Sequence, residues 1–95
     1  MKVRVQYFAV VREITNLKEE TIEVNDGATV LDLINLLAKR HGNRLAEYVF
    51  DLNTGAPRSY LQFLLDEKSI SAMNGFSTKL RDDSVFAIIP PVGGG

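Results

Sequence analysis

Val30, Leu33, Ile34 and Leu37 fall at i, i+3, i+4 and i+7, a single apolar stripe that a helix must bury against something. Thr29 reads as its N-cap, with Asp32 three residues later as the capping-box acid. Lys39, Arg40 and His41 suit the last turn of the helix dipole, and Gly42 is placed to end it. The predicted helix therefore spans about 29–41. Elsewhere the period is two. Residues 2–8 alternate, with Val3, Val5 and Tyr7 on one side, and residues 19–25 alternate again, with Ile22 and Val24 inward. One helix can cover only one face of one sheet, which points to an α+β fold.

The segment between the two alternating runs, ending in Thr15-Asn16-Leu17-Lys18, reads as a polar turn, so residues 2–25 are expected to form an antiparallel hairpin. Residues 43–57 are either a short helical turn or an irregular packed segment, with 53–57 a loop. Ser59–Leu65 reads as a buried strand ended by Asp66-Glu67-Lys68. A short strand or turn is expected around Ile70–Phe76, with Gly75 as a break, then a turn at Asp82-Asp83-Ser84 and a last apolar strand, Val85–Ile89. The order β-β-α-β-(β)-β, a mixed sheet of four to five strands with one main helix, describes a β-grasp (ubiquitin-like) fold, the last strand lying beside the first in mid-sheet. Residues 1–91 are expected to form one domain and 92–95 a flexible Gly-rich tail.

Composition removes most chemistries. Eleven Lys+Arg against twelve Asp+Glu leave a formal charge of -1, without the basic footprint of a nucleic-acid binder. The chain has no cysteine and one histidine, which excludes disulfides, cysteine-ligated metals, a thiol nucleophile and a serine triad. No metal site is expected. His41 at a helix end and the pairs Glu19/Glu20 and Asp82/Asp83 read as solvated surface. No apolar run approaches the roughly 20 residues of a membrane span, and the start lacks a signal-like segment, so a cytoplasmic address is expected. The chain does not look like an enzyme with an active site of its own.

What remains is Pro90-Pro91-Val92-Gly93-Gly94-Gly95. The prolines cannot donate ladder hydrogen bonds and stiffen the backbone, so the last strand stops there. Val92–Gly95 could reach about 13 Å at roughly 3.3 Å per residue. Three glycines put no side chain in the way of a narrow channel, and the distinctive group they present is the Gly95 carboxylate. The segment reads as a probe, against the plainer reading of a frayed end.

Phe8-Ala9-Val10-Val11-Arg12-Glu13, Thr29-Val30-Leu31-Asp32-Leu33 and the run from Leu80 to Gly95 together resemble the MoaD branch of the MoaD/ThiS ubiquitin-like sulfur carriers. Two departures are residues 43–57, longer than in compact members, and Asp83, where the final turn often has glycine. The resemblance implies a molybdopterin synthase small subunit. A MoeB-like adenylating enzyme, using ATP and Mg²⁺, would convert the Gly95 carboxylate to an acyl-adenylate. Sulfur would replace AMP there to give a thiocarboxylate, which the large synthase subunit would use to build the pterin dithiolene. No cofactor is expected on this chain itself. The same activated end, with Gly94, would equally serve a protein modifier attached to lysines of other proteins, or a carrier for another pathway such as thiamine. An unreactive interaction module is the blandest alternative.

Strand alternation then suggests a docking face. If Val3, Val5 and Tyr7 pack on the helix, Phe8 points to the other side of the sheet; if Phe86 and Ile88 are inward, Val85, Ala87 and Ile89 are outward. Phe8 and Ile89 would form an apolar patch beside Val92 and Gly93, matching hydrophobic positions that in the family meet both partner enzymes. Arg12 is a further interface candidate, with a structural ion pair as its alternative.

Overall fold

A computed structural model describes residues 1–91. Strand β1 (Lys2–Tyr7) buries Val3, Val5 and Tyr7 and exposes Lys2 and Arg4, as its alternation requires. It pairs antiparallel with β2 (Glu19–Glu23), Val5 opposite Glu20 and Gln6 opposite Glu19.

The link between them is not the turn expected from sequence, because it contains helix α1 (Ala9–Thr15). Val11 and Thr15, at i and i+4, are buried, with Val10 and Ile14 packed at the margin of the core. Four β-branched residues, Val10, Val11, Ile14 and Thr15, in so short a stretch hide a helical period behind strand propensity, and packing decides against propensity. The helix ends on Asn16, held at φ 66, whose N–H donates to the Arg12 carbonyl at 2.8 Å.

Helix α2 (Val30–His41) buries Val30, Leu33, Ile34 and Leu37, and its capping box is complete. The Asp32 N–H donates to Thr29 Oγ1 at 3.2 Å, and the Thr29 N–H donates to Asp32 Oδ2 at 2.9 Å. Thr29→Ala is expected to cost about 1 kcal/mol, read as a lower urea midpoint with an unchanged slope. Gly42, at φ 87, ends α2 and leads directly into α3 (Asn43–Val49), which settles the open part of residues 43–57 as helical and buries Leu45 and Val49.

Strand β3 (Gln62–Leu65) begins three residues later than expected, since the Leu61 N–H is committed to a turn with the Arg58 carbonyl. Asp66 and Glu67, at φ 51 and 71, form a two-residue hairpin turn into β4 (Lys68–Ser69). The expected strand or turn at Ile70–Phe76 is a pair of 3₁₀ turns, Ile70–Ala72 and Gly75–Ser77. Asp83 sits at φ 65 in the final turn, the conformation a glycine would adopt there without strain. Strand β5 (Val85–Ile89) follows.

The sheet order is β2-β1-β5-β3-β4, with β5 parallel to β1 and antiparallel to β3. This is the β-grasp arrangement: a mixed five-stranded sheet whose first and last strands meet in the middle under α2. Tyr7, Leu33, Phe86 and Ile88 are among the fully buried side chains that join sheet to helix.

Candidate functional site

The end of the sheet from which the chain leaves β5 is built by register. Tyr7 pairs with Ile88 across the parallel β1–β5 contact, both with side chains in the core. Phe8 and Ile89 each follow by one residue, so alternation turns both toward the face opposite α2. Phe8 has extended backbone, φ −129 and ψ 149, and both residues are half-buried. Ala87, outward by the same alternation, is nevertheless only 6% accessible. It sits on the central strand between Gln6 and Leu64, and its short side chain is covered by theirs.

Directly after Phe8 the chain turns sharply at Ala9, at φ 50, a conformation costly for a residue with a Cβ. That turn starts α1 and brings Arg12 back over the strand end. The Arg12 guanidinium carbon lies 6.0 Å from the Phe8 ring centroid, and its Nε donates to the Tyr7 carbonyl at 3.3 Å. Among the described residues, Arg12 is thereby held at this strand end by a ring and a carbonyl. Gln62 lies across from Ile89 on β3, and Tyr60, 53% accessible, stands two residues before it. Pro90 is half-buried and Pro91 exposed; Val92, Gly93, Gly94 and Gly95 lie outside the described residues.

A second cluster was not expected from the sequence, and it corrects the surface reading of His41 and Glu20. Glu20 shares parity with Ile22 and Val24, so it faces α2, where its side chain is only 10% exposed. His41 is 13% exposed, its Nε2 against Glu20 Oε2. The Tyr7 hydroxyl donates to the same oxygen at 2.5 Å, and Arg40 Nε donates to Oε1 at 3.0 Å. The Tyr7 and His41 rings meet edge to face, centroids 5.8 Å apart. Burial by itself would raise the Glu20 carboxyl, but hydrogen bonds from Tyr7 and His41 and the cations of His41 and Arg40 outweigh it, holding the group below its ordinary value. Burial, followed by the hydrogen bond to Glu20 and its negative charge, raises the Tyr7 phenol. The signal in the sequence was the parity of Glu20; neighbouring Glu19 does point to solvent, as two adjacent strand residues must.

Among the described residues no group of three or more His, Asp or Glu side chains could hold a metal, and no helix is long and apolar enough to cross a membrane. The chemical resources of the described surface are thus an aromatic, an aliphatic and a fixed guanidinium beside the exit of the C-terminal segment.

Comparison with known proteins agrees with this geometry. The ThiS family model matches residues 5–95. The chain is 32% identical over 98 residues to the molybdopterin synthase sulfur carrier subunit of Chlamydomonas reinhardtii, covering all of both. It is 26% identical over 95 residues to small archaeal modifier protein 3 of Haloferax volcanii, again covering all of both. The crystal structure of SAMP1 from Haloferax volcanii superposes with a TM-score of 0.85 at 21% identity, over the whole of each chain, a likeness of fold.

Proposed function

The chain belongs to the ThiS family, and from that premise we propose that it is a sulfur carrier whose working group is the Gly95 carboxylate. The observation that carries the reading is where the described chain leaves the sheet. Pro90 and Pro91 follow the central strand β5 at the strand end that holds Phe8, Ile89 and Arg12.

A free carboxylate is a poor acyl donor, so it needs activation by a partner. An adenylating enzyme using ATP and Mg²⁺ would join the Gly95 carboxylate oxygen to the α-phosphorus and release pyrophosphate. A sulfur nucleophile then attacks the acyl carbon, the bond to the AMP oxygen breaks, and a thiocarboxylate remains. This chain contributes a narrow, side-chain-free end and a docking surface; the partners contribute the catalysis. The acceptor we favour is a pterin precursor in a molybdopterin synthase, because the plant-lineage relative bearing that name is 32% identical over its full length. A second reading, a modifier joined through Gly95 to lysines of other proteins, draws on the full-length archaeal relative named a modifier protein.

Incubation with an adenylating partner, ATP and a sulfur source should raise the intact mass by one oxygen-to-sulfur exchange, located at Gly95. A cognate system that never modifies the chain would refute the carrier reading. Tryptic remnants of this C-terminus on lysines of cellular proteins would select the modifier reading instead.

The docking surface has its own test. Phe8→Ala should weaken binding to the adenylating enzyme by roughly tenfold or more, the size of an aromatic anchor at an interface. Calorimetric titration gives the affinity, and near-native thermal stability would separate lost contact from lost folding.

A further inference from the structure

Three elements meet at Glu20, and nothing in the carrier reading uses that meeting. Tyr7 belongs to β1, Glu20 to β2, and Arg40 and His41 to the last turn of α2. We propose that these four residues form a proton-operated clasp. With Glu20 ionised, it holds the first half of β2 and the end of α2 against the end of β1. Proton uptake by Glu20 releases the first half of β2 before the rest of the domain unfolds.

The local argument rests on what else holds that segment. β2 is an edge strand with β1 as its one neighbour in the sheet. Ile22 and Val24, its apolar inward residues, are in its second half and just beyond it. In the first half, the side chain facing the core is Glu20 itself, and Asn16, Leu17, Lys18 and Glu19 leading into it are exposed. Backbone pairing and the Glu20 contacts are therefore the main restraints, and a segment so held opens at low free-energy cost compared with the core.

The charge balance sets the direction. Ionised Glu20 accepts from Tyr7 and His41 on one oxygen and from Arg40 on the other. A protonated carboxyl loses the charge that strengthens all three bonds and leaves His41, when charged, without its counter-ion in a site largely closed to water, while the exposed Arg40 loses its charge-assisted bond. Because the folded-state value lies below the ordinary one, the clasp stabilises above the ordinary carboxylate range and is lost as pH falls through the folded-state value. The titratable and charged groups facing Glu20 are Tyr7 from β1 and Arg40 and His41 from α2.

Amide hydrogen exchange on the full chain tests this, independently of any sulfur chemistry. Between about pH 7 and about pH 3, protection of the Glu20 amide and of the Val5 amide paired with it should fall by roughly tenfold or more relative to the core amides of Leu33 and Ala87. Glu20→Gln should show that weak protection at every pH. Tyr7→Phe keeps the buried ring and removes one donor, so Glu20 becomes easier to protonate and release moves to higher pH. If Glu20→Gln does not fold, Tyr7→Phe with direct carbon-13 titration of Glu20 decides the matter. Loss of β2 and core protection together, or release at an unchanged pH in Tyr7→Phe, overturns the clasp.

Discussion

Removal of Gly94 and Gly95 should reduce acyl-adenylate and thiocarboxylate formation to background while leaving the folded domain almost untouched. The two outcomes separate because the groups concerned belong to different parts of the chain. Among the described residues, every core residue of the β-grasp lies at or before Ile88, and β5 ends at Ile89. On the reading of residues 92–95 as a probe, a projecting end buries little, so the change in unfolding free energy should fall within about 0.5 kcal/mol. Activation, by contrast, needs a carboxylate that reaches a partner's active site. Shortening by two residues withdraws it by roughly 7 Å, and a misplacement of even 1 Å can cost a large factor in a positioned reaction. Intact-mass measurement after incubation with partner and ATP reads the first effect, and a thermal melt reads the second. A large drop in melting temperature would mean that the end of the chain is packed against the domain, and would remove the probe from the mechanism.

Leu33→Ala is expected to have the opposite profile, a severe loss of stability with the carboxylate chemistry intact in whatever fraction stays folded. Leu33 is fully buried at the centre of the α2 stripe, facing the sheet. Its truncation removes apolar burial and leaves a cavity that a fixed backbone closes only in part, a cost of about 2–5 kcal/mol. Domains of this size have roughly 5–15 kcal/mol in total, so the variant should sit near the threshold of folding. A fall in melting temperature of on the order of 10 °C or more is the readout. A shift of only a degree or two would mean that the helix–sheet interface is loosely packed.

Much of this architecture was legible because two periods were clean. The stripe from Val30 to Leu37 and the alternation at Val3–Tyr7 each had one consistent reading, and the uniformly apolar Val85–Ile89 read as a strand whose faces the sequence left open; the structure buries Phe86, Ala87 and Ile88 of it. The pairing of the last strand with the first also followed, since a single helix leaves few ways to arrange the strands. What sequence hid was of two kinds. In α1 and α3, seven-residue helices carry too few turns for a periodic signal, and the valines of α1 favour strand when read locally. In the Glu20 cluster the difficulty was a glutamate on the apolar side of its strand. Its burial is made tolerable by Tyr7 of β1 together with partners from α2, far away in the chain. Phe8 and Ile89 each follow the paired Tyr7 and Ile88 by one residue, and Ala87, outward by the same parity, is nonetheless buried between Gln6 and Leu64 on the neighbouring strands.

The parallel contact between β1 and β5 bears on synthesis. Its register, Arg4 with Val85 through Tyr7 with Ile88, joins two segments separated by most of the sequence. Before β5 emerges, β1 and β3 each lack the neighbour that completes the middle of the sheet, and the ordering of nearly the whole chain must precede its reward in contacts. A nascent chain stalled before Val85 should therefore be protease-sensitive and adhesive through its open strand edges.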